Sequence, residues 1–412
     1  MPAAVASAGP TPRRRGAETT EQILSAAVAE IAAEGVDRAS LPRIAGRAGL
    51  SVGPLYSRFD DTDDLVAALW ADRLRDRFDE FLRDAATWIT SGDGDAGQRL
   101  HSELAGPSPT TVATLEVLAT VRRYPYSADA VVADATRSFR EFVAAVDPVP
   151  QATAGYALAA IVGEVLLHDL LPPSARAEPR ALLDVARALT RPTDVEPVTP
   201  TLTTIIPMPT ITSGGDVPNI FMNAALEVIA RGGFEHASAN RISRAAGLSA
   251  SRVYEHFGSM HELAAEALTG IIDFLVGAKA LAFVGVDRAT YRQMVIAGGR
   301  ALVDPESVPA RRLRLECALA ARHHPDIGAT AREAFDRAER TVADSFRTLA
   351  PGGSDAALRN AQALWHLVRD FGFGVLPLHE AADALAPDVD LAPLASALPQ
   401  VYEDFVLAPL GR

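Results

Sequence analysis

One segment of the chain occurs twice. "RAGLSVGPLYSRF" at residues 47–59 returns as "AAGLSASRVYEHF" at 245–257, with Ala, Gly, Leu, Ser, Tyr and Phe in matching places. The spacing around it is constant. Gly35 and Gly233, Ser40 and Ser238, Gly49 and Gly247, Tyr56 and Tyr254, Phe59 and Phe257, and Leu65 and Leu263 are all 198 residues apart. An offset held over so many positions marks a duplicated folding unit, so two similar halves are expected rather than one core. The length agrees, since 412 residues exceed one ordinary core.

The periodicity within each half is helical. In "TEQILSAAVAEIAAEG" the apolar Ile23, Ala27 and Ile31, with Leu24 and Val28, fall four apart and form one stripe on a helix face. Thr19 or Thr20 is suited to cap its start and Gly35 to end it. "SLPRIAGRAGLS" reads as a short helix capped by Ser40, with Pro42 in its first turn and a stop at Gly49. A third helix is expected from Ser51, carrying Leu55, Tyr56 and Phe59. No long stretch alternates with the period of two that a strand requires.

Beyond these helices the repeat continues. "LEVLATVRRYP" at 115–125 matches "LECALAARHHP" at 315–325, now 200 apart. Each is followed by a long amphipathic helix and then two more, expected at 154–170 and 178–189 in the first half and at 356–376 and 391–407 in the second. Between the halves, the Pro- and Thr-rich "TRPTDVEPVTPTLTTIIPMPTITSGGD" cannot continue a helix and reads as an extended linker.

Two short helices joined by a tight Gly-containing turn, the last with exposed first residues, are the pattern of a helix-turn-helix that enters a major groove. The details, "S-x-x-x-I-x-x-x-A-G-L-S" followed by "L/V-Y-x-x-F", resemble the DNA-binding domain of the TetR family of transcriptional regulators in both copies. The Arg-Arg-Tyr-Pro and Arg-His-His-Pro corners are similar to that family's ligand-binding and dimerisation domain. The resemblance implies an all-α chain of two tandem units arranged as an intrachain pseudo-dimer. The expected division is a flexible basic arm over 1–18, helix-turn-helix domains over 19–62 and 217–260, helical regulatory domains over 63–190 and 261–412, and a linker over 191–216.

The resemblance also implies a function: a ligand-responsive repressor whose two unequal heads read an asymmetric or degenerate DNA operator. A homodimer reads a palindrome because its helices are identical. Here Val52, Gly53, Pro54, Ser57 and Arg58 stand against Ala250, Ser251, Arg252, Glu255 and His256. Arg58 and Arg252 are the candidates for guanine or phosphate contacts, because a guanidinium donates in a planar fork; each also reads as a solvated surface arginine. Tyr56 and Tyr254 match the family's phosphate-contacting tyrosine. Ser40, Ser51, Ser238 and Ser249, with Thr19, are placed to cap helices and face phosphates. Arg13, Arg14 and Arg15 fit an arm that tracks a groove. The first copy departs from the pattern with Val-Gly-Pro, which offers few base-reading groups.

The family couples DNA binding to an effector pocket, which implies an unidentified small-molecule effector. Expected lining comprises Glu164, His168 and Asp169 in the first half and His366, Arg369 and Asp370 in the second, with Trp365, Phe371 and Phe373 as apolar walls; each also reads as an interface polar group or core aromatic. The alternative is a TetR-like small-molecule or protein-binding module that has lost DNA binding in one or both heads.

Composition sets limits on these readings. A net charge of −13 argues against non-specific coating of nucleic acid, although not against a small basic face on an acidic body. Cys317 is the only cysteine and reads as a small buried hydrophobe, which leaves no disulfide framework. No secretory signal or spanning segment is expected, so the reading is a cytoplasmic protein without membrane contact, in which one chain acts as a pseudo-dimer or two chains pair. There is no Gly-rich phosphate loop, His-Glu-x-x-His or nucleophile elbow, and neither enzymatic activity nor cofactor nor metal is expected. The adjacent His323 and His324 diverge on a helix and are poor joint ligands for a metal.

Overall fold

In the computed structural model, residues 12–408 are described apart from 196–198, 200, 203–204, 214, 278–286, 350–354 and 383–388. Among the described residues every regular element is a helix. The first unit runs α1 (Pro12–Glu34), α2 (Leu41–Ala48), α3 (Gly53–Tyr56), α4 (Thr62–Leu69), α5 (Arg75–Ser91), α6 (Gly94–Ala105), α7 (Pro109–Thr120), α8 (Pro125–Ala145), α9 (Gln151–Leu167) and α10 (Pro179–Leu189). The second repeats that order with α11 (Asp216–Gly232), α12 (Ala239–Ala246), α13 (Ala250–Val253), α14 (Met260–Gly277), α15 (Arg288–Val303), α16 (Val308–His323), α17 (Pro325–Leu349), α18 (Asp355–Ala382) and α19 (Ala392–Tyr402). The single α14 stands where the first unit has α4 and α5, which a widened π-helical turn at Trp70–Leu74 joins without a break. No helix among the described residues is long and apolar enough to cross a membrane.

The basic arm expected over 1–18 differs from what is seen: α1 already begins at Pro12, so Arg13, Arg14 and Arg15 lie on its first turns. Proline pre-sets the first helical position, and the Arg and Ala that follow are good helix formers. Residues 1–11 lie outside the described set.

The two units join along their final helices. α9 packs on α18, α10 on α18 and α19, and α19 on α9, forming a four-helix junction. Helices 9 and 18 touch backbone to backbone. A Cβ added to Gly163 would run into the Asp370 carbonyl, and one added to Gly374 would run into the Ala159 carbonyl and the Gly163 backbone. Only glycine permits that approach. Tyr156 of α9 and Phe371 of α18 stack beside the crossing, with ring centroids 3.8 Å apart.

A buried charge cluster pins the same junction. Arg369 donates to Glu164 across the units at 2.8 Å, to Asp370 at 2.7 Å and to the Ala175 carbonyl at 2.5 Å. Burial, with Glu164 alongside, holds the Asp370 carboxyl well above its usual range despite Arg369.

The described linker residues before Asp216 are non-helical, as their composition requires, and several of them are docked on the second unit. Ile211 is buried, and its N–H and carbonyl are both held by the Asn223 side chain of α11, at 2.8 and 2.9 Å. The Ile206 N–H donates to Ser307 Oγ at 2.9 Å, and Gln293 of α15 bonds the backbone of Thr199 and Thr201. Extended backbone against a helical surface needs side-chain partners for its polar groups, and these three residues supply them.

Candidate nucleic-acid interface and effector cavity

Each head is built by burying one face of three helices. In the first, Ile23, Ala27 and Ile31 of α1 meet Leu41, Ile44 and Ala45 of α2, with Leu55 and Phe59 closing the core. In the second, Phe221, Leu226 and Ile229 meet Ile242, Val253 and Phe257. Helices α2 and α12 end on Gly49 and Gly247 in the left-handed conformation, with φ of +67° and +66°. The third helices, α3 and α13, are a single turn each. What they leave outside is alike: Tyr56 is 58% exposed and Tyr254 57%, too open for core aromatics. Ser51, Gly53 and Ser57 are exposed in one head, and Ser249, Ser251, Glu255 and His256 in the other.

The polar chemistry of the two surfaces differs. Arg58 is committed within its own head, donating to Thr20 Oγ1 at 3.1 Å and to the Pro54 carbonyl at 2.7 Å. Arg43 and Arg47 are likewise drawn onto buried Glu30, where burial would raise that carboxyl but the two arginines lower it overall. In the second head, Val228 stands at the position of Glu30, 198 residues on. There, the guanidinium groups of exposed Arg244 and half-exposed Arg252 make no ion pair or hydrogen bond with other described residues. Ser238 caps α12 through the Arg241 N–H at 3.4 Å, whereas Ser40 adopts the cap backbone without the side-chain bond.

Beneath the heads lies a pseudo-symmetric polar cluster. Arg123 binds both Asp37 of the first head and Glu316 of the second unit. His323, 200 residues on, meets Glu116 of the first unit at 2.9 Å, with Arg322 at 2.6 Å from the same oxygen. The close approach repeats too: a Cβ at Gly35 (φ +82°) would strike the His323 ring, and one at Gly233 (φ +89°) the Arg123 guanidinium. Burial alone would raise Glu116, but His323 and Arg322 more than offset it, and the carboxyl sits below its ordinary value. Tyr124 donates to Asp37 at 2.6 Å, and Arg38 donates to the His323 carbonyl at 2.8 Å. The turns that carry the heads are thus tied to one another through both bodies.

His324 turns away from His323, as expected on a helix, and meets Glu235 at 2.6 Å. Its ring also comes near the His261–Asp326 pair. These three residues are the one group among the described residues whose ligand atoms, all within 4.8 Å of each other, are spaced to hold a metal. Each already has a protein partner.

A cavity of about 290 Å³ lies in the second unit, walled by α15, α16, α18 and α19. Tyr156 of the first unit and Leu202 and Ile206 of the linker complete it. Of the expected lining residues, Trp365, Arg369 and Phe371 face it. The others lie elsewhere. Glu164 and Asp370 belong to the junction cluster, His168 pairs with Asp169 at 3.0 Å, His366 with Glu339 at 3.1 Å, and Phe373 packs on Phe335. Apolar helices are also the interface helices, so their polar residues are first spent on satisfying each other. Sequence reasoning missed Tyr156, Tyr291, Met294 and Arg314, which also form the wall; each falls on an ordinary helical pattern, and only tertiary packing turns it inward.

Comparison with curated protein sequences finds no match. A family profile does match, twice: residues 23–69 and 221–267 each correspond to the family described as "Bacterial regulatory proteins, tetR family". These segments are the two heads built above, so the chain carries two DNA-binding domains of the tetR type in one polypeptide.

Proposed function

We propose that this protein is a ligand-responsive repressor that acts as a single-chain pseudo-dimer in the cytoplasm and reads an operator with two unequal half-sites. The observation that carries this reading is the pairing of two heads alike in fold and unlike in surface. Tyr56 and Tyr254, with Thr19, Ser40, Ser51, Ser238 and Ser249, take the role of phosphate contacts. Arg252 and His256, with Ser251 and Glu255, carry base reading in the second head. The first head, with Val52, Gly53 and Pro54 foremost and Arg58 held inward, contributes backbone and shape contacts. Arg13, Arg14 and Arg15 extend that backbone contact from the start of α1.

The effector site in this reading is the cavity of the second unit, because its walls join what must move together. Tyr156 reports to the first unit across the junction, and the linker residues lead through Ile211 to α11 of the second head. A ligand that favours one arrangement of these elements shifts the spacing of the heads. No enzymatic step is assigned. Selection of the purified protein against a randomised duplex library across a salt series tests the reading. Enrichment of two unequal half-sites about one helical turn apart, weakened by salt, is the expected result; a perfect inverted repeat counts against unequal heads, and no enriched site favours a binding module that has lost DNA reading.

A further inference from the structure

Among the described residues, one charge on the cavity wall has no hydrogen-bond or ion-pair partner. Arg314 forms part of that wall, and its Nε is buried with no hydrogen-bond partner. The guanidinium carbon lies over the Phe373 ring, 4.1 Å from its centroid. Among the described residues no carboxylate acts on it, the Cys317 thiol being its ionisable neighbour, and burial pushes Arg314 down to about 10. It therefore remains charged at neutral pH inside an apolar enclosure.

Arg288, Arg311 and Arg322 also leave a buried Nε without a hydrogen-bond partner, but each bonds through another nitrogen and none of the three lines the cavity. Arg369, on the same cavity, has all three nitrogens engaged. The position equivalent to Arg314 in the first unit, 200 residues earlier, is Thr114, whose hydroxyl is satisfied by the Thr110 carbonyl at 2.8 Å. At this position the second unit carries a cation and the first does not. Burying a guanidinium without an anion is costly, and a cost confined to a cavity wall is recovered when a ligand brings the anion.

We infer that Arg314 is the anion receptor of this cavity and that the ligand is an apolar organic acid, its carboxylate paired with Arg314 and its hydrocarbon body lying against Tyr156, Phe371 and Trp365. A guanidinium offers two parallel donors to a carboxylate. A monoanion neutralises the single cation, whereas a dianion leaves a net charge among apolar walls. Apart from Arg369, which is already paired, the side chains of the wall are largely aromatic and aliphatic, Met294, Leu302 and Leu394 among them. This inference rests on the reading of the cavity as the effector site.

Calorimetric titration of the full chain without DNA provides the test, using 2-naphthoate and octanoate, their alcohols 2-naphthalenemethanol and octan-1-ol, and the dianion 2-naphthyl phosphate. At least one carboxylate is expected to bind about ten- to a hundred-fold more tightly than its alcohol. Arg314→Met is expected to abolish that preference and Arg314→Lys to keep part of it. Without ligand, Arg314→Met is expected to melt at or above the wild-type temperature, since it removes an uncompensated charge. Binding of neither acid, equal binding of acid and alcohol, tighter binding of the phosphate, or a preference that survives Arg314→Met would each overturn the inference. The same titration on the protein–DNA complex separates the two claims: acid bound with DNA affinity unchanged leaves the receptor in place and removes its regulatory role.

Discussion

At the scale of single residues, the two units are held by charges that cross between them. Removing the cation of the junction cluster strands Glu164 in a site from which water is excluded. Arg369→Ala is therefore expected to cost about 3–5 kcal/mol, read as a lower urea midpoint for the whole chain. A Cβ at the helix crossing acts sterically on the same junction, so Gly374→Val is expected to destabilise by about 1–3 kcal/mol or more. Below the heads, Glu116, Asp37 and Glu235 all sit below their ordinary values: burial raises Glu116 and Asp37, but the former is outweighed by His323 and Arg322 and the latter by His236 and Arg123, while Glu235 is lowered first by its bond to His324. A carboxyl depressed in the folded state stabilises above its unfolded value and loses that contribution as pH falls through the folded one. Stability is thus expected to hold from neutral pH down to about 4.5, the ordinary glutamate value, and to fall below it. Glu116→Gln should flatten that fall in a pH series of melting temperatures; an unchanged slope would remove Glu116 from the account.

At the scale of elements, the recognition helices differ in what they have left to offer. Arg58 spends its donors on Thr20 and Pro54, and Arg252 spends none on a described residue. Arg252→Ala is expected to weaken operator binding by about 1–3 kcal/mol, with Arg58→Ala costing less; the reverse order in a binding titration would exchange the roles of the heads. Tyr56→Phe and Tyr254→Phe each remove one hydroxyl, and a loss of about 0.5–1.5 kcal/mol in DNA affinity is expected from each with the fold intact. The helix-turn-helix was legible in the sequence because its determinants are local: a stripe at spacing four, a cap, a Gly and a buried Leu-x-x-x-Phe. The linker was legible only in part. Its Pro and Thr content excludes a helix, but its docking depends on Asn223, Gln293 and Ser307, polar residues within helical patterns that do not announce a partner. Arg314 was hidden for a related reason. It follows Arg311 and Arg312 and reads as a solvated stripe, and the absence of an acid beside it exists only in three dimensions.

At the scale of the molecule, duplication within one chain replaces a symmetric interface with one free to diverge. The pseudo-symmetry survives where packing demands it, in the paired Gly35 and Gly233 and in Arg123 and His323 beneath the heads. It is lost in the wall of the cavity, with Thr114 on one side and Arg314 on the other. The docked linker also changes what joining the units accomplishes, since a held segment fixes one relative placement where a flexible tether would only raise effective concentration. The central claim is that one chain supplies both heads to one operator. The mass of the protein bound to its own selected duplex tests this most directly: the expected complex carries a single 43.5 kDa chain per site, and a complex that forms only with two chains per site would contradict it.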